Sequence, residues 1–125
     1  MKANKAIAKI LKKEGVEFFF FFPGNPYPEP LAEEDIRSIH FRNEHIAIQV
    51  ADGYSRSTMG KKIGICGTQA GPGVQVAYPG IHSAFVDNSP ILLLPTAEDS
   101  HRISTEPYYD IRVELRGITK WAETI

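Results

Sequence analysis

The sequence predicts an α/β protein, a three-layer sandwich built around a mostly parallel sheet. Three observations carry this. In "VEFFFFF", Val16 to Phe22, five consecutive phenylalanines cannot alternate between a core and water. Both faces of that strand must be covered, as they are in a parallel sheet flanked by helices. "KKIGICGT" and "PILLLPTA" are further apolar stretches of strand length. Between the apolar stretches lie segments with helical spacing.

Taken in order, Ala3 to Glu14 carry Ile7, Ile10 and Leu11 at i, i+3 and i+4 among lysines, with Gly15 placed to end the turn. That is a surface amphipathic helix. The first strand follows, and "PGNPYPEP" is expected to stop any regular element. "IRSIHF" is the second strand, and Asn43 to Met59 the helix after it, stopped at "MGKK". "KKIGICGT" is the third strand, "QAGPG" a turn, and Val74 to Val86 a helix. "PILLLPTA" is the fourth strand, Pro107 to Leu115 a helix, and "GITKWAETI" a fifth strand. In such sheets ligands bind beyond the carboxyl ends of the strands. The loops gathered there are "FPGNP", "FRNE", "TQAGPG" and "PTAEDS".

The 125 residues suffice for one domain, residues 1–125, and it reads as incomplete because no covering helix follows the last stretch. A net charge of −1 gives no electrostatic ground for a nucleic acid or an anionic membrane as partner. The longest apolar run is far short of the ~20 residues a membrane helix needs. Lys2 and Lys5 open a segment without an apolar signal core, so a cytoplasmic setting is expected. Cys66 is the single cysteine and reads as a small core residue. His40, His45, His82 and His101 are scattered without ligand spacing, so no metal site of the chain's own is expected.

Glu44 breaks the pattern of its helix. Ala47, Ile48 and Ala51 fall at i+3, i+4 and i+7 from it, on one face, and Ile46, Val50 and Tyr54 widen that face. His45, Gln49, Asp52 and Arg56 gather opposite. A carboxylate in a first helical turn is favoured by the helix dipole, which accounts for its place along the helix but not for its face. Apolar surroundings disfavour the charged form of a carboxyl, and that suits a proton-relaying role. Both readings stand at this point. "GTQAGPG" lies where a phosphate-cradling loop would lie, yet it has neither the Gly-Lys-Ser/Thr ending nor the dinucleotide spacing. Gly71 and Gly73 are better read as a tight turn, with Pro72 near the first helical position.

Four stretches in register then carry a family likeness: "FPGNP", "RNEHIAIQVADGYSRS", "GTQAGPGVQVAYPGIHSAFVDNSPILLL" and "ITKW". From about Gly15 to Trp121 the chain resembles the N-terminal, pyrimidine-binding domain of thiamine-diphosphate enzymes of the acetolactate synthase and benzoylformate decarboxylase type. The resemblance implies a flavodoxin-like, thiamine-diphosphate-binding fold and the decarboxylation or carboligation of a 2-keto acid substrate. In that family the glutamate opening this helix hydrogen-bonds N1′ of the aminopyrimidine and promotes loss of the thiazolium C2 proton; Glu44 matches it by position. The same correspondence puts Phe22, Pro23, Gly24 and Asn25 on the pyrimidine side of the pocket. Thr68, Gln69, Gly71 and Gly73 then stand near the reacting centre.

The departures are informative as well. Some members carry a histidine in or near that turn, where this chain has Gly67, Thr68 and Gln69. The Gly-Asp-Gly segment through which the family anchors diphosphate and Mg²⁺ is absent, and "ADGY" at Ala51 to Tyr54 lies within a helix pattern. The resemblance therefore implies half a site, completed by a diphosphate-binding domain of the same or another chain, with homo-oligomers formed through pyrimidine-binding domains. Two alternatives remain at this level: a non-catalytic α/β interaction domain, and an unrelated α/β domain binding a flavin or nucleotide.

Overall fold

The computed structural model describes residues 1–125. The elements are α1 (Ala3–Lys13), β1 (Phe18–Phe21), α2 (Pro28–Glu33), β2 (Arg37–His40), α3 (Glu44–Ser57), β3 (Gly64–Gly67), α4 (Pro72–Val86), β4 (Ile91–Leu93) and α5 (Ile111–Leu115), with a short 3₁₀ turn at Ser100–Arg102. The four strands form one parallel sheet in the order β2-β1-β3-β4. No helix is long and apolar enough to cross a membrane.

The phenylalanine run explains the central layer. Phe19 pairs with Ile65 and packs with Ala8 and Leu11 of α1, Leu31 of α2 and Ile36 on one face. Phe20 pairs with Cys66 and packs with Ala47, Ile48 and Ala51 of α3 and with Val74, Ala77 and Ile81 of α4 on the other. Phe18 stacks on Phe20 and Phe21 on Phe19, so each face carries its own aromatic pair. The strand is covered on both sides, as the five-residue run requires.

Four expectations need correction. "PGNPYPEP" does not end all regular structure, because Pro28 stands at the first position of α2. Proline is pre-organised for a first helical turn, where its missing N–H costs nothing. "GITKWAETI" is not a strand: Ile118 is buried in the α3–α4 core, while Trp121 is 67% exposed and pairs with nothing. A strand needs a neighbouring edge. Here β4 and residues 118–123 both line an apolar groove of about 450 Å³ and do not pair. Ile10 of α1 faces water, and the buried residues of that helix are Ala8 and Leu11. On α3, Ile46 and Val50 are exposed whereas Asp52 is buried. Asp52 accepts from Arg56 one turn on, and Arg56 also reaches Asp87 just beyond α4.

Ser55 ties α3 to the sheet. Its buried hydroxyl donates to the carbonyl of Pro90 at 2.6 Å and accepts the N–H of Gly64 at 2.7 Å. Ser55→Ala leaves both main-chain groups without partners in the interior and is expected to cost about 1–3 kcal/mol. Urea unfolding measures this, and a variant as stable as the parent would refute the bridge.

Candidate functional site

The strand order creates the site. The chain passes from β1 to β2 on one side and returns across β1 to β3 on the other. The loops after β1 and β3 therefore diverge at the carboxyl ends of two adjacent strands, where open parallel sheets bind ligands. Main-chain bonds hold the base of that crevice, with Phe22 N–H donating to Gly67 O at 3.1 Å and Phe41 N–H to Phe21 O at 2.8 Å.

Asn25 ties the two loops together. Its side-chain amide donates to Leu94 O at 3.1 Å and Thr68 O at 3.5 Å, and its oxygen accepts the N–H of Tyr27 at 3.2 Å. Gly67 makes the crossing possible, since a Cβ there would lie 2.7 Å from the amide nitrogen and 2.3 Å from Phe19 Cζ. Thr96, after β4, brings its hydroxyl to the carbonyl of Gly24 at 3.5 Å. Leu94 and Thr96 were not legible as site supports, because they act across about 70 residues of sequence.

Asn43 fixes the start of α3. Its side-chain oxygen accepts the N–H groups of His45 and Ile46, at 2.9 and 3.4 Å, which satisfies two otherwise unpaired donors of the first turn. Glu44 then becomes the first helical residue, and Glu44, Ala47, Ile48, Ala51, Asp52 and Ser55 form the buried face. Glu44 is 7% exposed. The amino end of α4 closes on it. A Cβ at Gly73 would sit 2.7 Å from Glu44 Oε1 and 2.8 Å from Gln69 Cβ, so only glycine lets that helix approach.

The surroundings of the carboxyl are enclosed. Burial pushes the Cys66 thiol up to about 12, with the Glu44 charge adding to the shift. The β3–β4 ladder continues past the strands through Leu94 N–H to Cys66 O and Thr96 N–H to Thr68 O, at 2.7 and 2.9 Å. Alternation along that ladder turns the side chain of Thr68 to the same face as Cys66. Thr68 is fully buried and its hydroxyl has no partner.

The candidate residues thus converge, in different ways. Glu44 and Gln69 each lie against Gly73, and Gly24 lies against the Gln69 side chain. Asn25 and Thr68 are joined by a hydrogen bond. Phe22 is half-buried at the base, while Pro23 is exposed on the loop. Gly71 is the residue before α4, with φ at +59°, and Pro72 is the first residue of that helix. Among the candidate residues the one ionisable group is the buried Glu44 carboxyl. Chemically, such a carboxyl can hold a proton and exchange it with a ring nitrogen.

The fold is a parallel α/β scaffold with a crevice at the carboxyl ends of β1 and β3. The profile of the family described as "Thiamine pyrophosphate enzyme, N-terminal TPP binding domain" matches residues 1–116, and the chain belongs to that family. It is similar to the "Probable acetolactate synthase large subunit" of Methanocaldococcus jannaschii, at 32% identity over 89% of this chain and 19% of that protein. It is also similar to the glyoxylate carboligase of Escherichia coli O157:H7, at 30% identity over 100% of this chain and 22% of that protein. The chain thus spans about a fifth of the length of these relatives. Its fold matches, with a TM-score of 0.81, the structure described as "X-ray structure of a putative thiamin diphosphate-dependent enzyme isolated from Mycobacterium smegmatis". That match has 20% identity and covers 98% of this chain and 25% of the other.

Proposed function

We propose that this chain supplies the aminopyrimidine half of a thiamine diphosphate site in a 2-keto acid decarboxylase or carboligase, with Glu44 as the group that meets N1′. The observation that carries the reading is the Glu44 carboxyl, buried in the first turn of α3 and pressed against Gly73 at the crevice. When bound, the cofactor supplies a carbon nucleophile that adds to a keto group and takes up the electron pair left behind by CO₂. Glu44 holds a proton at N1′ and exchanges it. The surrounding core keeps water from the carboxyl. Diphosphate and Mg²⁺ are assigned to a diphosphate-binding domain of the same or another chain.

The isolated chain is accordingly expected to bind thiamine diphosphate weakly or not at all, because charge-assisted contacts to the diphosphate supply much of the affinity. Isothermal titration with cofactor and Mg²⁺ checks this, first alone and then with the diphosphate-binding domain added. Tight saturable binding by the chain alone would contradict the half-site. No binding in the presence of the second domain would favour a non-catalytic interaction domain.

Association through α3 and α4 is part of the same proposal. Ile46, Val50, Val76, Phe85 and Val86 expose apolar surface on these two helices, and such surface marks an interface or an aggregation liability. Light scattering is expected to show dimers or larger species. A monomer persisting at high concentration would count against it.

A further inference from the structure

Most polar groups at the mouth of the crevice are already engaged. The Asn25 amide is spent on Leu94 O and Thr68 O, and the Thr96 hydroxyl faces Gly24 O. The Thr68 hydroxyl is enclosed and Glu44 lies deep. Gln69 is different. It is exposed, its Cβ packs beside Gly73, and its amide nitrogen reaches 3.2 Å from where a Cβ on Gly24 would be. The side chain therefore lies across the mouth, between the loop after β1 and the start of α4. Gly24, with φ at +97°, leaves room for it. "FPGNP" and "TQAGPG" contain no lysine or arginine, so the group these two loops present to a ligand is neutral.

We propose that the Gln69 carboxamide is a substrate-recognition group that donates its N–H to the carboxylate of a 2-keto acid entering at the mouth of the crevice. This rests on the reading of Glu44 as the cofactor-facing residue. Neutrality suits the reaction. As the C1–C2 bond breaks, its electron pair stays on C2 and C1 leaves as CO₂, so the carboxylate charge disappears from the place where it was bound. A full cation there would stabilise the ground state more than the transition state and slow the step. A carboxamide orients the carboxylate and lets it go.

The test uses the chain assembled with the diphosphate-binding domain that completes its site, with pyruvate as the probe. Gln69→Ala is expected to raise KM about tenfold, the size of one hydrogen bond to a charged group, with a much smaller change in kcat. Gln69→Glu should raise KM further, through repulsion between like charges. Gln69→Arg should lower KM and kcat together, the sign of a ground state held too tightly. A KM that does not respond to any of the three, in variants with parental circular dichroism, overturns the assignment. Cofactor C2 proton exchange separates the two failures. If exchange is normal in the parent and lost in Glu44→Gln while KM ignores Gln69, only the Gln69 role falls. If the parent shows no exchange, the Glu44 reading falls and takes this one with it.

Discussion

Gly64→Ala is expected to destabilise the fold by about 3 kcal/mol, the upper end of what overpacking usually costs. The added Cβ would lie 2.0 Å from the carbonyl oxygen of Ala51 and 2.5 Å from its carbon. Those are main-chain atoms of α3, so no rotamer change relieves the clash. The helix has to move off the sheet, and the Ser55 bridge to Gly64 N–H goes with it. Gly53→Ala is the control. Gly53 lies exposed within α3, and a Cβ there would meet nothing within 4 Å, so alanine should stabilise by ~0.5–1 kcal/mol through helix propensity. Thermal and urea unfolding of both variants decide the matter. Equal stabilities would mean that α3 and β3 are not packed as closely as described.

What the sequence made legible was local. The unalternating phenylalanine run forces two covered faces whatever lies around it, and the helical period that follows Asn43 marks α3. Glu44 followed from the same periodicity, since its buried companions Ala47, Ile48 and Ala51 lie within two turns. Asp52 was misjudged for a different reason. A charged residue near the edge of a face is buried only if a partner reaches it, and Arg56 does so while also spanning to Asp87, 31 residues further along. The fifth strand failed likewise: "ITKWAETI" has the composition of a strand, but pairing depends on an edge supplied from elsewhere. α2 is hidden in the sequence because prolines commonly end helices, yet Pro28 and Pro30 fall in its first turn, where proline fits.

The candidate site divides along the same line. Its glycines and its carboxyl were visible as residue types at turns and on a helix face. That Asn25 spends its amide on Leu94 and Thr68, or that Gly73 is a glycine because Glu44 Oε1 lies behind it, depends on contacts between segments far apart in the chain. Such contacts leave no periodic trace.

The central claim is that the Glu44 carboxyl exchanges a proton with the cofactor ring. Glu44→Gln tests it with little change of shape, because glutamine is nearly the same size and still hydrogen-bonds. Folding should be retained and can even gain, since an ionisable group is removed from a buried position. Glutamine cannot exchange a proton with N1′ as a carboxyl does, and acid–base contributions of this kind are commonly about 100- to 10,000-fold. The decisive measurement is hydrogen–deuterium exchange at the C2 position of thiamine diphosphate, quenched and read by NMR, on the chain assembled with a diphosphate-binding domain. It needs no knowledge of the substrate. The account predicts that exchange slows by about two to four orders of magnitude in the Glu44→Gln assembly at saturating cofactor. An exchange rate equal to the parent's would contradict it, leaving Glu44 as a residue favoured at the start of α3 by the helix dipole alone.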